Sequence, residues 1–506
     1  MELNAATDYL GTNELLCDIT AEQPVEGEFT IPDYQPEIFK IVKAKAEPVV
    51  VQKLAVGSRA TVDGYVRLTV IYQSKEDKRL IASTQKLPFS KQTDLKEAVG
   101  DSSIVLCDIS MSYLNCRAVN QRRIDVRGAA NIAIKVLSGA EKELVSDVSG
   151  EGTHQRQRAV EFVKQAGMTE KQFTLDEELA IDFGGNATPA ILRCDAKAYT
   201  ETVLAEGGRV TVSGAVNVAV ALDISNEDEY RVKRASFSLP YNQIVDIEET
   251  EETHIPEANI SVLSVGAEVE EDGVLGLSVL CALEVRTYKS GSAILVSDVF
   301  STKYELDIAQ DTVALTGGVT AVREPFAVSR PVEKPVVGAK LIDYFITPVG
   351  TEYVSDGEEV FAEVSAVFSY FLSDAAGDIV CWDYPFTFLA NIETPAGIAY
   401  KALDVLVSSV ECSESDDTVT FKAEGCIHGT VTDVVRQAAV GTVSADTAKP
   451  KAPQDMALAI YYADKGEDIF EIAKAFGTSP VEIANENNVA DGTLEQKSML
   501  LIPIVE

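Results

Sequence analysis

Val62-Asp63-Gly64-Tyr65-Val66-Arg67-Leu68-Thr69-Val70 alternates apolar and polar side chains along its length. A period of two is the signature of a strand with one buried face, as in antiparallel sheets. The stretch has a counterpart in Val212-Ser213-Gly214-Ala215-Val216-Asn217-Val218-Ala219-Val220 and a third version in Val360-Phe361-Ala362-Glu363-Val364-Ser365-Ala366-Val367-Phe368. A polar turn follows each: Ser74-Lys75-Glu76-Asp77, Asn226-Glu227-Asp228 and Asp374-Ala375-Ala376-Gly377. Each then reaches a proline between apolar residues, Leu87-Pro88-Phe89, Leu239-Pro240-Tyr241 and Tyr384-Pro385-Phe386.

Two more matches support this register. Pro36-Glu37-Ile38-Phe39-Lys40-Ile41 resembles Pro189-Ala190-Ile191-Leu192-Arg193-Cys194, and Leu144-Val145-Ser146-Asp147-Val148 recurs unchanged as Leu295-Val296-Ser297-Asp298-Val299. A spacing of about 150 residues is domain-sized and exceeds solenoid periods. The expected fold is therefore mostly β: three repeated antiparallel sandwich-like domains, each burying the apolar faces of two sheets. The expected segments are an N-terminal stretch at 1–27, copies at 28–150, 171–325 and 326–440, and a connecting stretch at 151–170 in which Glu161–Gly167 reads as a short helix. Gln437 to Gln454 is rich in Ala, Thr and Ser and carries Pro450 and Pro453, so 441–457 reads as a linker. A small module occupies 458–506.

Bulk properties bound the function. Apolar content of 46% suffices for packed cores, and 43 basic against 80 acidic residues give a net charge of -37. Such a chain repels phosphate backbones and anionic lipid, so nucleic-acid partners are not expected. It favours a basic partner surface; halophilic adaptation is the bland alternative. No apolar run is long enough for a transmembrane segment, and Met1 to Gly27 has no basic and apolar leader, so the chain reads as cytosolic. The cysteines (Cys17, Cys107, Cys116, Cys194, Cys281, Cys381, Cys412, Cys426) form no Cys-x-x-Cys and read as reduced, buried thiols. Trp382 reads as a core residue.

Enzymatic signatures are missing. There is no Gly-x-x-x-x-Gly-Lys, His-Glu-x-x-His or Gly-x-Ser-x-Gly, and His154, His254 and His428 stand alone. Acidic pairs such as Glu248-Glu249 read as solvated faces rather than glycosidase carboxylates. Glu268, Glu270, Glu271 and Asp272 do not follow an EF-hand pattern. No cofactor and no metal are expected, and a binding role is.

The tail is the most informative segment. Ala459-Ile460-Tyr461-Tyr462-Ala463 reads as a strand, and Asp468 caps a helix whose Ile469, Ile472, Ala473 and Phe476 share one face before Gly477. Ser479-Pro480-Val481-Glu482 has capping-box spacing and opens a second helix to about Asn487; Met499 to Ile504 returns as a strand. This βααβ order resembles a LysM domain. The resemblance is carried by Gly466-Glu467-Asp468-Ile469, Ile472-Ala473, Gly477-Thr478-Ser479, Asn485-Glu486-Asn487-Asn488 and Leu500-Leu501-Ile502-Pro503. Glu467 and Asp468 depart from the usual Asp-Thr, and Lys497-Ser498 from the usual Gly-Gln.

The LysM likeness implies a groove between two loops, with Lys465, Gly466, Glu467, Asp468, Ile469 and Phe470 on one side and Asn488, Val489, Ala490 and Asp491 on the other. Its usual ligand is an N-acetylglucosamine-containing glycan such as peptidoglycan. Three lysines against nine acids from Asp464 to Glu506, and no export signal, favour a protein ligand instead. Together with Ile31-Pro32-Asp33, Pro36-Glu37-Ile38 and the Val-x-Gly strands, the chain resembles the SipL-type spore-coat morphogenetic proteins, whose repeated unit is the SPOCS domain. That resemblance implies a protein of the mother-cell cytoplasm at the forespore surface. Its LysM domain would engage the spore-coat morphogenetic ATPase, the self-polymerising protein of the coat's basement layer.

Overall fold

The computed structural model describes every residue except 1–2, 101, 182–188, 226–230, 271–272, 357–358, 393–397, 452–456, 490–491 and 505–506. The opening copy contains β1 (Asn4–Thr30), β2 (Ile38–Val56), β3 (Arg59–Ser74), β4 (Leu80–Asp94), β5 (Ser103–Ala118) and β6 (Arg123–Ser149). They form two antiparallel sheets, ordered β1-β6-β5 and β2-β3-β4. The next copy repeats this plan with β7 (Thr153–Ala180), β8 (Ala190–Glu206), β9 (Arg209–Asp223), β10 (Val232–Asp246), β11 (Ile255–Val269) and β12 (Val274–Ser301). So does the last, with β13 (Tyr304–Glu333), β14 (Lys340–Asp356), β15 (Glu359–Ser373), β16 (Ile379–Ile392), β17 (Ile398–Glu414) and β18 (Thr418–Pro450). In each, the first, sixth and fifth strands make one sheet and the second, third and fourth the other.

The period of two is realised as expected. Val62, Val66, Leu68 and Val70 are fully buried on one face of β3, and Val62 and Val66 pack against Ala130, Ile132 and Ile134 of β6 in the facing sheet. Each such side chain contributes about 1.5–3 kcal/mol by leaving water. The prolines lie on the outer strands β4, β10 and β16, where a missing N–H costs no ladder bond. The aromatic after each proline is buried opposite a residue with little or no side chain: Phe89 faces Gly64, Tyr241 faces Gly214 and Phe386 faces Ala366. In the last copy the facing residue is thus Ala366, not the Ala362 that strand alignment places there.

The copies interlock. Strands β6, β12 and β18 each touch the other two. Leu10 and Leu144, Val160 and Leu295, and Val313 and Ala439 form one shared cluster; Val145, Val148, Val296, Val299 and Val440 form another beside it. The repeated Leu-Val-Ser-Asp-Val is therefore the junction itself. On the other sheets Ile71, Leu80, Leu192, Ala221, Phe345 and Phe371 make a third three-way cluster. Ion pairs bridge every pair of copies: Lys45–Asp195 at 2.8 Å, Arg193–Asp343 at 3.3 Å and Lys43–Asp383 at 2.6 Å. Between the copies lies a cavity of about 1800 Å³, into which all three contribute charged side chains, among them Lys53, Lys197, Glu284 and Asp404.

Several expectations are corrected. Residues 4–27 are not a separate segment but most of β1, paired with β6. Glu161–Gly167 is strand, not helix, because β7 pairs with β12 along nearly its whole length and tertiary pairing outweighs local propensity. The linker reading of 441–457 fails up to Pro450, where β18 pairs with β13. There Ala439-Val440-Gly441-Thr442-Val443 occupies the junction as a small-residue version of the repeated pentapeptide. Trp382 is 40% exposed, on an outer strand. Cys17, Cys281 and Cys426 are buried, the other cysteines are half-buried, and none is disulfide-bonded. The turn at Asn226-Glu227-Asp228 lies outside the described residues, as do Glu271 and Asp272.

Candidate functional site

The three copies end side by side. The Thr302 amide donates to the Gly152 carbonyl at 2.8 Å, and that of Lys451 to the Lys303 carbonyl at 2.8 Å. The C-terminal module follows from this end and comprises β19 (Leu458–Ala463), α1 (Ile469–Phe476), α2 (Pro480–Asn487) and β20 (Ser498–Pro503). The βααβ order is the expected one, and β19 pairs antiparallel with β20.

Local chemistry explains each element. The Asp468 carboxylate accepts from the Phe470 amide at 2.8 Å, capping α1. Gly477 ends that helix at φ 63°, a left-handed conformation natural to glycine. Ser479 precedes α2 without a side-chain cap bond, so the capping-box spacing there is not used. Asn487 binds the Leu501 backbone from both sides: its Nδ2 donates to the carbonyl at 2.7 Å and its Oδ1 accepts from the amide at 2.7 Å. The asparagine-rich end of α2 thereby fastens helix to sheet.

The two expected groove loops are joined by backbone bonds. Gly466 donates to Leu494 at 2.9 Å, Leu494 to Glu467 at 2.8 Å and Ile469 to Gly492 at 2.9 Å. Among the expected site residues, Lys465, Gly466 and Asn488 are exposed. Glu467 and Val489 are half-buried; one Glu467 carboxylate oxygen accepts from the Tyr461 hydroxyl at 3.3 Å, and the other is buried with no partner among the described residues. Ile469 is fully buried in the module core and Phe470 is 7% exposed, so neither presents a free side chain. Ala490 and Asp491 lie outside the described residues.

Phe470 and Asp468 are covered by the middle copy. Arg156 of β7 donates from Nη2 to Asp468 at 2.5 Å and from Nη1 to Glu471 at 3.1 Å, and its guanidinium lies 4.5 Å from the centre of the Phe470 ring. Phe300, at the end of β12, meets Phe470 edge to face at 5.1 Å and joins the module's core. Lys474 of α1 pairs with Asp298 at 2.6 Å. His154 lies against Phe300 at 5.2 Å; burial lowers its pKa, opposed by the Glu482 carboxylate. This face was not foreseen, although one signal was in view: the repeated pentapeptide is followed by Ser149 in one instance and by Phe300 in the other.

Among the described residues no three His, Cys, Asp or Glu side chains cluster as metal ligands would. The Nδ1 of His254 accepts from the Glu251 amide at 3.3 Å, a loop-fixing bond. Among the described residues no helix is long and apolar enough to cross a membrane.

Residues 37–134 match the family model described as SipL, SPOCS domain. The matched stretch runs from just before β2 into β6, within the opening copy. It supports a SipL-like family and suggests a sporulation-related role. No curated protein and no solved structure matches the chain.

Proposed function

We propose that this chain is a non-enzymatic adaptor of spore-coat assembly, acting in the mother-cell cytoplasm at the forespore surface. The observation that carries the proposal is the SipL SPOCS match over 37–134. The LysM-like βααβ module supports it: its loops expose Lys465 and Asn488. The module would bind the basement-layer ATPase of the coat, and the interlocked copies would serve as its rigid mount. A chain of net charge -37 suits a partner with a basic surface.

The test uses the full chain, with purified coat ATPase and isolated peptidoglycan as separate baits. Capture by the ATPase, lost on Lys465→Glu in a variant with an unchanged melting curve, is expected. Retention on peptidoglycan without capture by the ATPase would replace the adaptor with a glycan-binding protein.

A further inference from the structure

The contacts of Arg156, Asp298 and Phe300 occur in only one of three equivalent places. Strand register makes the comparison direct. In the middle copy Asp298 pairs across the sheet with Arg156, and Phe300 with His154. The matching pairs are Asp147 with Ala6 and Ser149 with Asn4 in the opening copy. In the last copy they are Thr442 with Ala309 and Ser444 with Asp307. The cation and both aromatic rings are thus peculiar to the copy that touches the module.

The fit is both apolar and electrostatic. Phe300 is 4% exposed and completes a cluster otherwise made by the module's Ile469, Phe470, Ile472 and Leu500. Arg156 brings positive charge to an acidic module, and the Asp468 oxygen that caps α1 is the one it binds. Release of the module would leave that cap intact, so the helix need not unfold to undock.

We infer that the middle copy carries a built receptor face for the chain's own C-terminal module, and that docking there withholds the α1 side of the module from an outside partner. The second half rests on the adaptor reading above. Arg156 and Phe300 hold the closed arrangement; a partner that competes for Asp468, Glu471 and Lys474 binds only the released one.

Two full-length variants test this, Arg156→Ala and Phe300→Ser, the latter installing the residue that the opening copy carries. Lysine acylation by an N-hydroxysuccinimide ester, read by mass spectrometry, reports undocking without any partner. Lys474 should react several-fold faster in both variants while Lys465 is unchanged. Purified coat ATPase should then bind Arg156→Ala about tenfold more tightly than the parent, the shift expected from losing two ion pairs and a ring contact, and should also bind Phe300→Ser more tightly. Unchanged Lys474 reactivity in both variants would overturn the receptor face. Faster Lys474 labelling with equal ATPase affinity would overturn the masking. A parent and variants that all fail to bind the ATPase would sink the adaptor reading, while Lys474 would still decide the docking.

Discussion

Gly214→Ala offers a severe test of the packing in the middle copy and of the interlock around it. A Cβ at position 214 would lie 2.1 Å from the Tyr199 carbonyl oxygen and 2.7 Å from the Tyr241 hydroxyl. The carbonyl belongs to the neighbouring strand β8 and cannot rotate away; the hydroxyl donates to that same carbonyl at 3.1 Å. Overpacking of this kind costs about 1–3 kcal/mol and the lost hydrogen bond about 1. Lower chain entropy in the unfolded state returns about 0.4–1 kcal/mol, leaving a net loss of about 1–3.5, or about 2.5 as a central value. The assay is thermal unfolding followed in parallel by far-UV circular dichroism and by fluorescence of Trp382, which lies in the last copy. With an unfolding entropy of about 2.1 cal/mol/K per residue, the melting temperature should fall about 3 °C if some 450 residues unfold together, and about 8 °C if the middle copy melts alone. The shared clusters at Leu144, Leu295 and Ala439 predict the smaller shift, identical in both signals. A shift in dichroism with Trp382 unmoved would refute the interlock. No shift in either would refute the steric reading of Gly214.

Asp343 is 1% exposed and faces both Arg193 and Arg234; Arg193 keeps Asp195 at 3.0 Å and Arg234 is partly exposed, so Asp343→Ala should cost about 1–3 kcal/mol through lost hydrogen-bond partners of the buried Arg193; urea unfolding would register it, and an unchanged stability would contradict the pairing. For Glu47, burial raises the pKa, but Lys45 and Arg67 outweigh it and bring the carboxyl from 4.5 down to about 2. A depressed folded pKa gives stability that is complete above about pH 4.5 and lost as pH falls towards 2. The melting temperature of the parent should therefore drop more steeply across that window than that of Glu47→Gln, and parallel curves would count against the charge cluster.

Much of the fold was legible because the alternating strands obey one local rule. Val62 to Val70 declared its buried face without help, and the exact recurrence of Leu144–Val148 declared the copy spacing. The copy boundaries were not legible for a physical reason. Strands β1 and β7 lie at sheet edges and expose much of their length, so their composition resembles a polar connector. Ala439 and Gly441 do the same at the junction, where short side chains suit close packing and read as a linker. The module's order was readable from caps and helical spacing, with Asp468 and Gly477 in their expected roles. Its surroundings were not, since Arg156 and Phe300 lie far away in sequence and no local pattern announces a contact between distant segments.

The shared junction also bears on what a single copy would do if cut free. Leu144, Val145 and Val148 would lose their cover, leaving an apolar stripe beside open sheet edges, an invitation to self-association. The same stripe recurs at Leu295 to Val299, so a natural companion for one liberated copy is another. Three liberated copies could rebuild around one another what the continuous chain holds together by covalent linkage. In that light the three copies stand to one another as subunits joined in one polypeptide. The joining lets a single subunit change alone: Phe300 could arise without a matching ring at Ser149 or Ser444, giving a symmetric body one distinctive side.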